Sequence, residues 1–257
     1  MTTKQIKSSR LTIPVIGILF ILGVYFLFNL ISKNSRLNKS FAKGILALNT
    51  DKSGYLPGDK MTIGMASLND SGHTICNSNL GLEITDPENI KSNLEIANSP
   101  SCGDDNVTND PDYTASKILE KTGKYKLVLR NLDTNKIVDT VVSVNENFSF
   151  EITRSGATRI NPSKSDRYPM IITIKANRDY KGQIKERFPD NFKIVWQGDA
   201  KIEGLNLVWD VDIKAGETKT FPYEYQVSKN DPTLYVLGPI NIYNQNLESS
   251  WKIVTTK

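Results

Sequence analysis

LNLVWDVDIKAGETKTFPYEYQV, residues 205–227, alternates twice. Leu205, Leu207, Trp209, Val211 and Ile213 share one side of an extended chain, and Phe221, Tyr223, Tyr225 and Val227 do so again after Ala215-Gly216-Glu217. A side-chain period of two belongs to a strand with one buried face. The stretch therefore reads as a long β-hairpin with one buried face, turning at Ala215-Gly216-Glu217. Pro222 cannot donate to a ladder, so it argues for an edge position or a bulge in the second arm.

The same pattern extends in both directions. Phe148–Thr153, Met170–Ala176, Tyr235–Tyr243 and Trp251–Thr255 read as further strands, with Met170, Ile172, Ile174 and Ala176 on one face. Upstream, Ile45–Leu48, Met61–Leu68, Leu80–Thr85, Leu94–Ala97, Tyr113–Leu119, Tyr125–Arg130 and Val138–Val144 read as seven more. Turn residues separate them every ten residues or so, the spacing of an antiparallel sandwich. No amphipathic helix is legible after residue 44. A boundary at Asn145-Glu146-Asn147 divides residues 44–145 from residues 146–257, with a joint too short to allow much freedom.

Upstream again, Leu11–Ile31 (LTIPVIGILFILGVYFLFNLI) runs 21 residues without a charge. As a helix it spans about 30 Å, the thickness of a bilayer's hydrocarbon core. A cleaved signal peptide would have a shorter apolar run and a small-residue cleavage site, and Ser32-Lys33-Asn34 supplies none. The reading is a membrane helix over 11–32, an inner segment 1–10 and a basic stalk 33–43. Lys4, Lys7 and Arg10 before the helix and Lys33, Arg36, Lys39 and Lys43 after it leave orientation undecided by charge.

The chain has 257 residues and a formal charge of +4. The excess sits partly beside the apolar run, where lipid phosphates are the natural partners, and no basic, aromatic-rich stripe suggests nucleic acid. Two cysteines, Cys76 and Cys102, fall within residues 44–145. Free buried thiols are one reading. A disulfide is the reading favoured here, because Cys102 lies in a polar loop, and that places the C-terminal bulk outside the membrane.

A search for chemistry finds little. His73, the one histidine, lies in the polar turn Asn69–His73 and has no partners for a nucleophilic triad or a zinc site. Asp210 and Asp212 lie on the opposite face from Trp209 and read as a solvated strand face, with a glycosidase pair as the alternative. The loop from Gly103 to Asp112 is the best ligand-site candidate. Its Asp104, Asp105, Asn106, Asp110 and Asp112 supply oxygens that would suit a weak calcium site, although EF-hand spacing is missing and an ion-free polar loop is the alternative. Trp196, Trp209 and Trp251 could make a sugar-stacking platform, but the core is the expected place for all three.

Thr50-Asp51-Lys52, Tyr55, Pro57-Gly58-Asp59, Ile63, Asp70-Ser71-Gly72 and Asp86-Pro87 together resemble the macroglobulin-type β-sandwich domains of α2-macroglobulins and bacterial surface proteins. The thioester motif CGEQ is absent, so covalent trapping is not implied. Ile184–Pro189, Leu207–Ile213, Ala215–Thr218 and Tyr223-Glu224-Tyr225 resemble Ig-like repeats of prokaryotic surface proteins. The expected fold is all-β: two tandem Ig-like antiparallel β-sandwiches preceded by one transmembrane α-helix. The expected role is non-enzymatic, without a cofactor unless calcium: a surface module for binding, adhesion or spacing, held in lipid by residues 11–32 and facing an extracellular protein or glycan. An accessory subunit of an envelope secretion or transport complex is the alternative.

Overall fold

The computed structural model describes residues 44–103, 110–227, 232–243, 245–246 and 250–256. The expected membrane helix over 11–32 and the stalk over 33–43 lie outside the described residues. Residues 43–257 form one compact unit. Among the described residues every regular element is a strand, and no helix is long and apolar enough to cross a membrane.

The first half contains β1 (Ile45–Thr50), β2 (Gly54–Tyr55), β3 (Lys60–Leu68), β4 (Leu80–Thr85), β5 (Lys91–Leu94), β6 (Ala97–Asn98), β7 (Tyr113–Ile118), β8 (Gly123–Asn131) and β9 (Ile137–Val144). They form two sheets, β1-β3-β7-β6 and β2-β9-β8-β4-β5. Inward residues such as Leu48, Ile63, Leu82, Ile84, Leu127 and Val142 fill the space between them. This is the two-layer solution for strands with one apolar face. Leu94–Ala97, expected as one strand, proves to be the end of β5, a break, and the start of β6, which pair with β4 and β7 in different sheets.

The second half contains β10 (Phe150–Gly156), β11 (Arg159–Ile160), β12 (Tyr168–Ala176), β13 (Tyr180–Arg187), β14 (Phe192–Trp196), β15 (Lys201–Glu203), β16 (Asn206–Ile213), β17 (Thr218–Val227), β18 (Leu234–Leu237), β19 (Ile240–Ile242), β20 (Gln245–Asn246) and β21 (Trp251–Thr255). Sheets β10-β12-β17-β14 and β15-β16-β13-β19-β20 cover a second core, and β11-β21-β18 forms a smaller third sheet. The expected strand Tyr235–Tyr243 is divided at Gly238-Pro239 into β18 and β19, which belong to different sheets.

The stretch 205–227 is not a hairpin. β16 lies between β15 and β13, whereas β17 lies between β12 and β14 in another sheet. Ala215-Gly216-Glu217 carries the chain from one layer to the other. The turn is docked on the end of β12, where Gly216 N donates to Ala176 O at 2.7 Å and Glu217 O accepts from Ala176 N at 2.9 Å. The arms meet through their side chains, with the Trp209 and Phe221 rings 5.4 Å apart. Alternation reports a buried face, and a hairpin and an arch between layers satisfy it equally. Pro222 stands in an interior strand, beside the point where β14 bulges between Ile194 and Trp196.

The two halves are welded along β1 and β21. Ala47, Ala66 and Leu68 pack with Val254 in a small cluster of their own. Asn49 clamps the backbone of Lys252, its amide donating to Lys252 O and its carbonyl accepting from Lys252 N, both at 2.7 Å. Burial pushes the Lys252 amine down from its ordinary value. Gly72, at φ 83°, lets Pro232 come so close that a Cβ there would lie 2.0 Å from it.

Candidate functional site

Residues that sequence reading singled out near Thr50 to Asp59 serve the fold. Pro57-Gly58 forms a tight turn, closed by Asp59 N on Leu56 O at 3.0 Å, with Gly58 at φ 90°. Asp51 Oδ1 accepts from the Tyr55 hydroxyl and from Thr62 N, each at 2.8 Å. Asp59 Oδ2 accepts from Leu56 N and from Lys52 Nζ, each at 3.1 Å. Burial, aided by the Asp51 charge, pushes the Tyr55 phenol well up. These groups fix the entry into β3.

The corner before β7 is tied by a disulfide and several hydrogen bonds. Cys76 and Cys102 form a disulfide with Cα atoms 5.7 Å apart. Asn98 Nδ2 donates to Cys76 O at 3.0 Å, Ser99 N donates to Asp112 O at 2.8 Å, and the Tyr113 hydroxyl donates to Ile75 O. Of the candidate calcium residues, Asp104, Asp105 and Asn106 lie outside the described residues. Asp110 is exposed. Asp112 is buried, and both its oxygens accept from Arg159 Nε at 2.9 Å, across the seam between the halves. Burial pushes its carboxyl up, against the pull of Arg159. Among the described residues no three metal-capable side chains converge.

The bridge spans 26 residues of chain, so removing it frees a loop of that length in the unfolded state. A Cys76→Ser, Cys102→Ser variant should lose about 3 kcal/mol of stability. Urea unfolding checks this, and the wild-type chain with its disulfide reduced should match the variant.

The other candidates are apart. His73 is exposed in its turn, its N donating to Asn69 Oδ1 at 2.9 Å. Asp210 is exposed and meets Lys201 Nζ at 2.6 Å, while Asp212 meets Lys214 at 3.4 Å and Lys181 at 3.5 Å. The neighbouring ammonium groups hold both carboxyls below the usual range. A cleft of about 740 Å³ opens between Ile84, Asp86 and Ile90, at the end of β4 and its turn to β5, and Ser116, Ile118 and Lys121, on β7 and just after it. Its Lys121 is tied to Asp86 at 2.9 Å and Glu88 at 2.6 Å. Trp209 and Trp251 are in the core, Trp251 donating from Nε1 to Ala157 O at 3.2 Å. Trp196 is 47% exposed, contrary to the core position expected for it.

Sequence reasoning missed two buried ion pairs. One is Asp112–Arg159. The other is Arg154 of β10 with Glu186 of β13, whose side chains are 1% and 0% exposed. Arg154 at an inward position of Phe150-Glu151-Ile152-Thr153-Arg154 was the available signal, since alternation there points a guanidinium into the core.

No family model matches the chain, and no curated protein matches it. Among solved structures it is similar to Salmonella α2-macroglobulin reacted with methylamine, at 12% identity and a TM-score of 0.32, over 83% of this chain and 15% of that one. Trypsin-activated α2-macroglobulin from Escherichia coli is similar at 12% identity and a TM-score of 0.32, over 84% of this chain and 16% of that one. The native conformation of the Escherichia coli protein gives 12% identity and 0.31, over 83% and 14%. The chain thus spans about 15% of the length of the first of these proteins. The fold described above rests on the chain's own strand register.

Proposed function

We propose that this chain is a non-enzymatic binding module of a cell surface, two tandem Ig-like β-sandwiches held to the membrane by residues 11–32 with the N-terminus inside. The observation that carries this reading is the Cys76–Cys102 disulfide, because such bridges persist in oxidising compartments. The uncharged run Leu11–Ile31 supports the anchor. The ion-paired state of Asp210, Asp212 and Asp112 supports a structural rather than catalytic use of these carboxylates. Function then lies in exposed loops and sheet faces presented by a rigid scaffold.

Protease shaving of intact cells carrying a C-terminally tagged chain tests this. Loss of the tag, with Cys76 and Cys102 bridged on a non-reducing gel, is expected. A protected tag with two free thiols would place the sandwiches in the cytoplasm and end the surface reading.

A further inference from the structure

Strand β14 carries an irregularity that reverses one side chain. Phe192 pairs with Val227, Lys193 with Gln226 and Ile194 with Tyr225. Unbroken register would set Trp196 opposite Tyr223, facing the core. The bulge sets it opposite Glu224 and turns the indole out. Bulges re-aim side chains and are enriched beside functional sites. Gly198, at φ 57°, holds the following turn against β17, where a Cβ would lie 2.6 Å from Pro222 O and 3.8 Å from the indole's Cη2.

The surface that receives Trp196 is the outer face of sheet β10-β12-β17-β14. Pro169, Glu224 and Trp196 form one row across it, and Ile171 with Pro222 the next. Thr153, Thr173 and Thr220 form a third row, three hydroxyls in register on adjacent strands. Glu224 is matched by Arg167 at 3.2 Å and Lys175 by Glu151 at 2.9 Å, which leaves exposed Lys193, opposite Gln226, as the cation of this face outside those pairs. We propose that this face binds a neutral, β-linked polysaccharide by stacking one pyranose ring on Trp196. Equatorial β-linkages give a flat ribbon with C–H groups on its faces and hydroxyls along its edges. An exposed indole fits the first and the threonine row fits the second.

This deepens the binding-module reading and rests on it, but its test does not depend on which side of the membrane the sandwiches occupy. Purified full-length chain, in a detergent without a sugar headgroup, is titrated with cellohexaose and with chitohexaose while tryptophan fluorescence is followed. Saturable binding is expected with one of them. Trp196→Ala should weaken it roughly thirtyfold, Trp196→Phe less, and both should keep the unfolding midpoint because Trp196 lies outside the core. Absence of binding to both hexasaccharides overturns the proposal, and so does undiminished binding by Trp196→Ala. If neither sugar binds and a chemical cross-link to a neighbouring protein disappears in Trp196→Ala, the face docks protein instead.

Discussion

Glu186→Ala is expected to cost about 3–5 kcal/mol of stability, a large fraction of what holds a domain of this size together. Arg154 and Glu186 come from opposite sheets and meet inside the second core. Two charges removed from water hold each other there, so deleting the carboxylate leaves the guanidinium's burial uncompensated. The neighbouring Tyr223 phenol reports the same environment. Burial pushes it well up, and the adjacent Glu186 carboxylate adds to the effect. The double variant Arg154→Met, Glu186→Leu should recover most of the loss, because apolar side chains of similar volume remove both charges at once. Urea midpoints of the three chains check this, and a Glu186→Ala midpoint equal to the wild type would refute it.

Asp112→Ala should have an effect of the same order, about 3–5 kcal/mol, but with a different signature. Asp112 precedes β7 in the first half, whereas Arg159 opens β11 in the second. All three tryptophans lie in the second half, at positions 196, 209 and 251. Their fluorescence therefore follows the second half alone, whereas tyrosine, present in both halves, follows the whole chain. In the wild-type chain the tyrosine and tryptophan transitions should coincide. In Asp112→Ala they should separate, because a coupling contact has been cut. Coincident, unshifted transitions in the variant would mean that the pair does not couple the halves.

Much of the molecule was legible from its alternation. Leu82 and Ile84, Met170 to Ala176, and Phe221 to Val227 turn the expected residues inward. Partnership was not legible. A period of two names a face and is silent on the neighbour, which is how an arch between sheets passed for a hairpin at 205–227. β13, Tyr180–Arg187, was missed because glycine and glutamate interrupt its inward side, Tyr180, Gly182, Ile184 and Glu186, and Glu186 is buried by pairing with Arg154. Trp196 was misplaced because a one-residue bulge shifts everything after it by half a period. The disulfide could be inferred from the polarity of the loop around Cys102. The seam could not: Asn49, Ala47 and Val254 are unremarkable residues until chain segments 203 residues apart meet.

That meeting imposes an order on folding. β21, last of the described strands in the chain, carries Val254 to the cluster around Ala47 and gives Asn49 its backbone partner at Lys252. With β1 paired to β3, the apolar patch of Ala47, Ala66 and Leu68 stays open to water until Val254 arrives. Closure of the seam thus waits on the arrival of β21. A chain truncated before Trp251 would display that patch to any quality-control protease that recognises exposed hydrophobic surface.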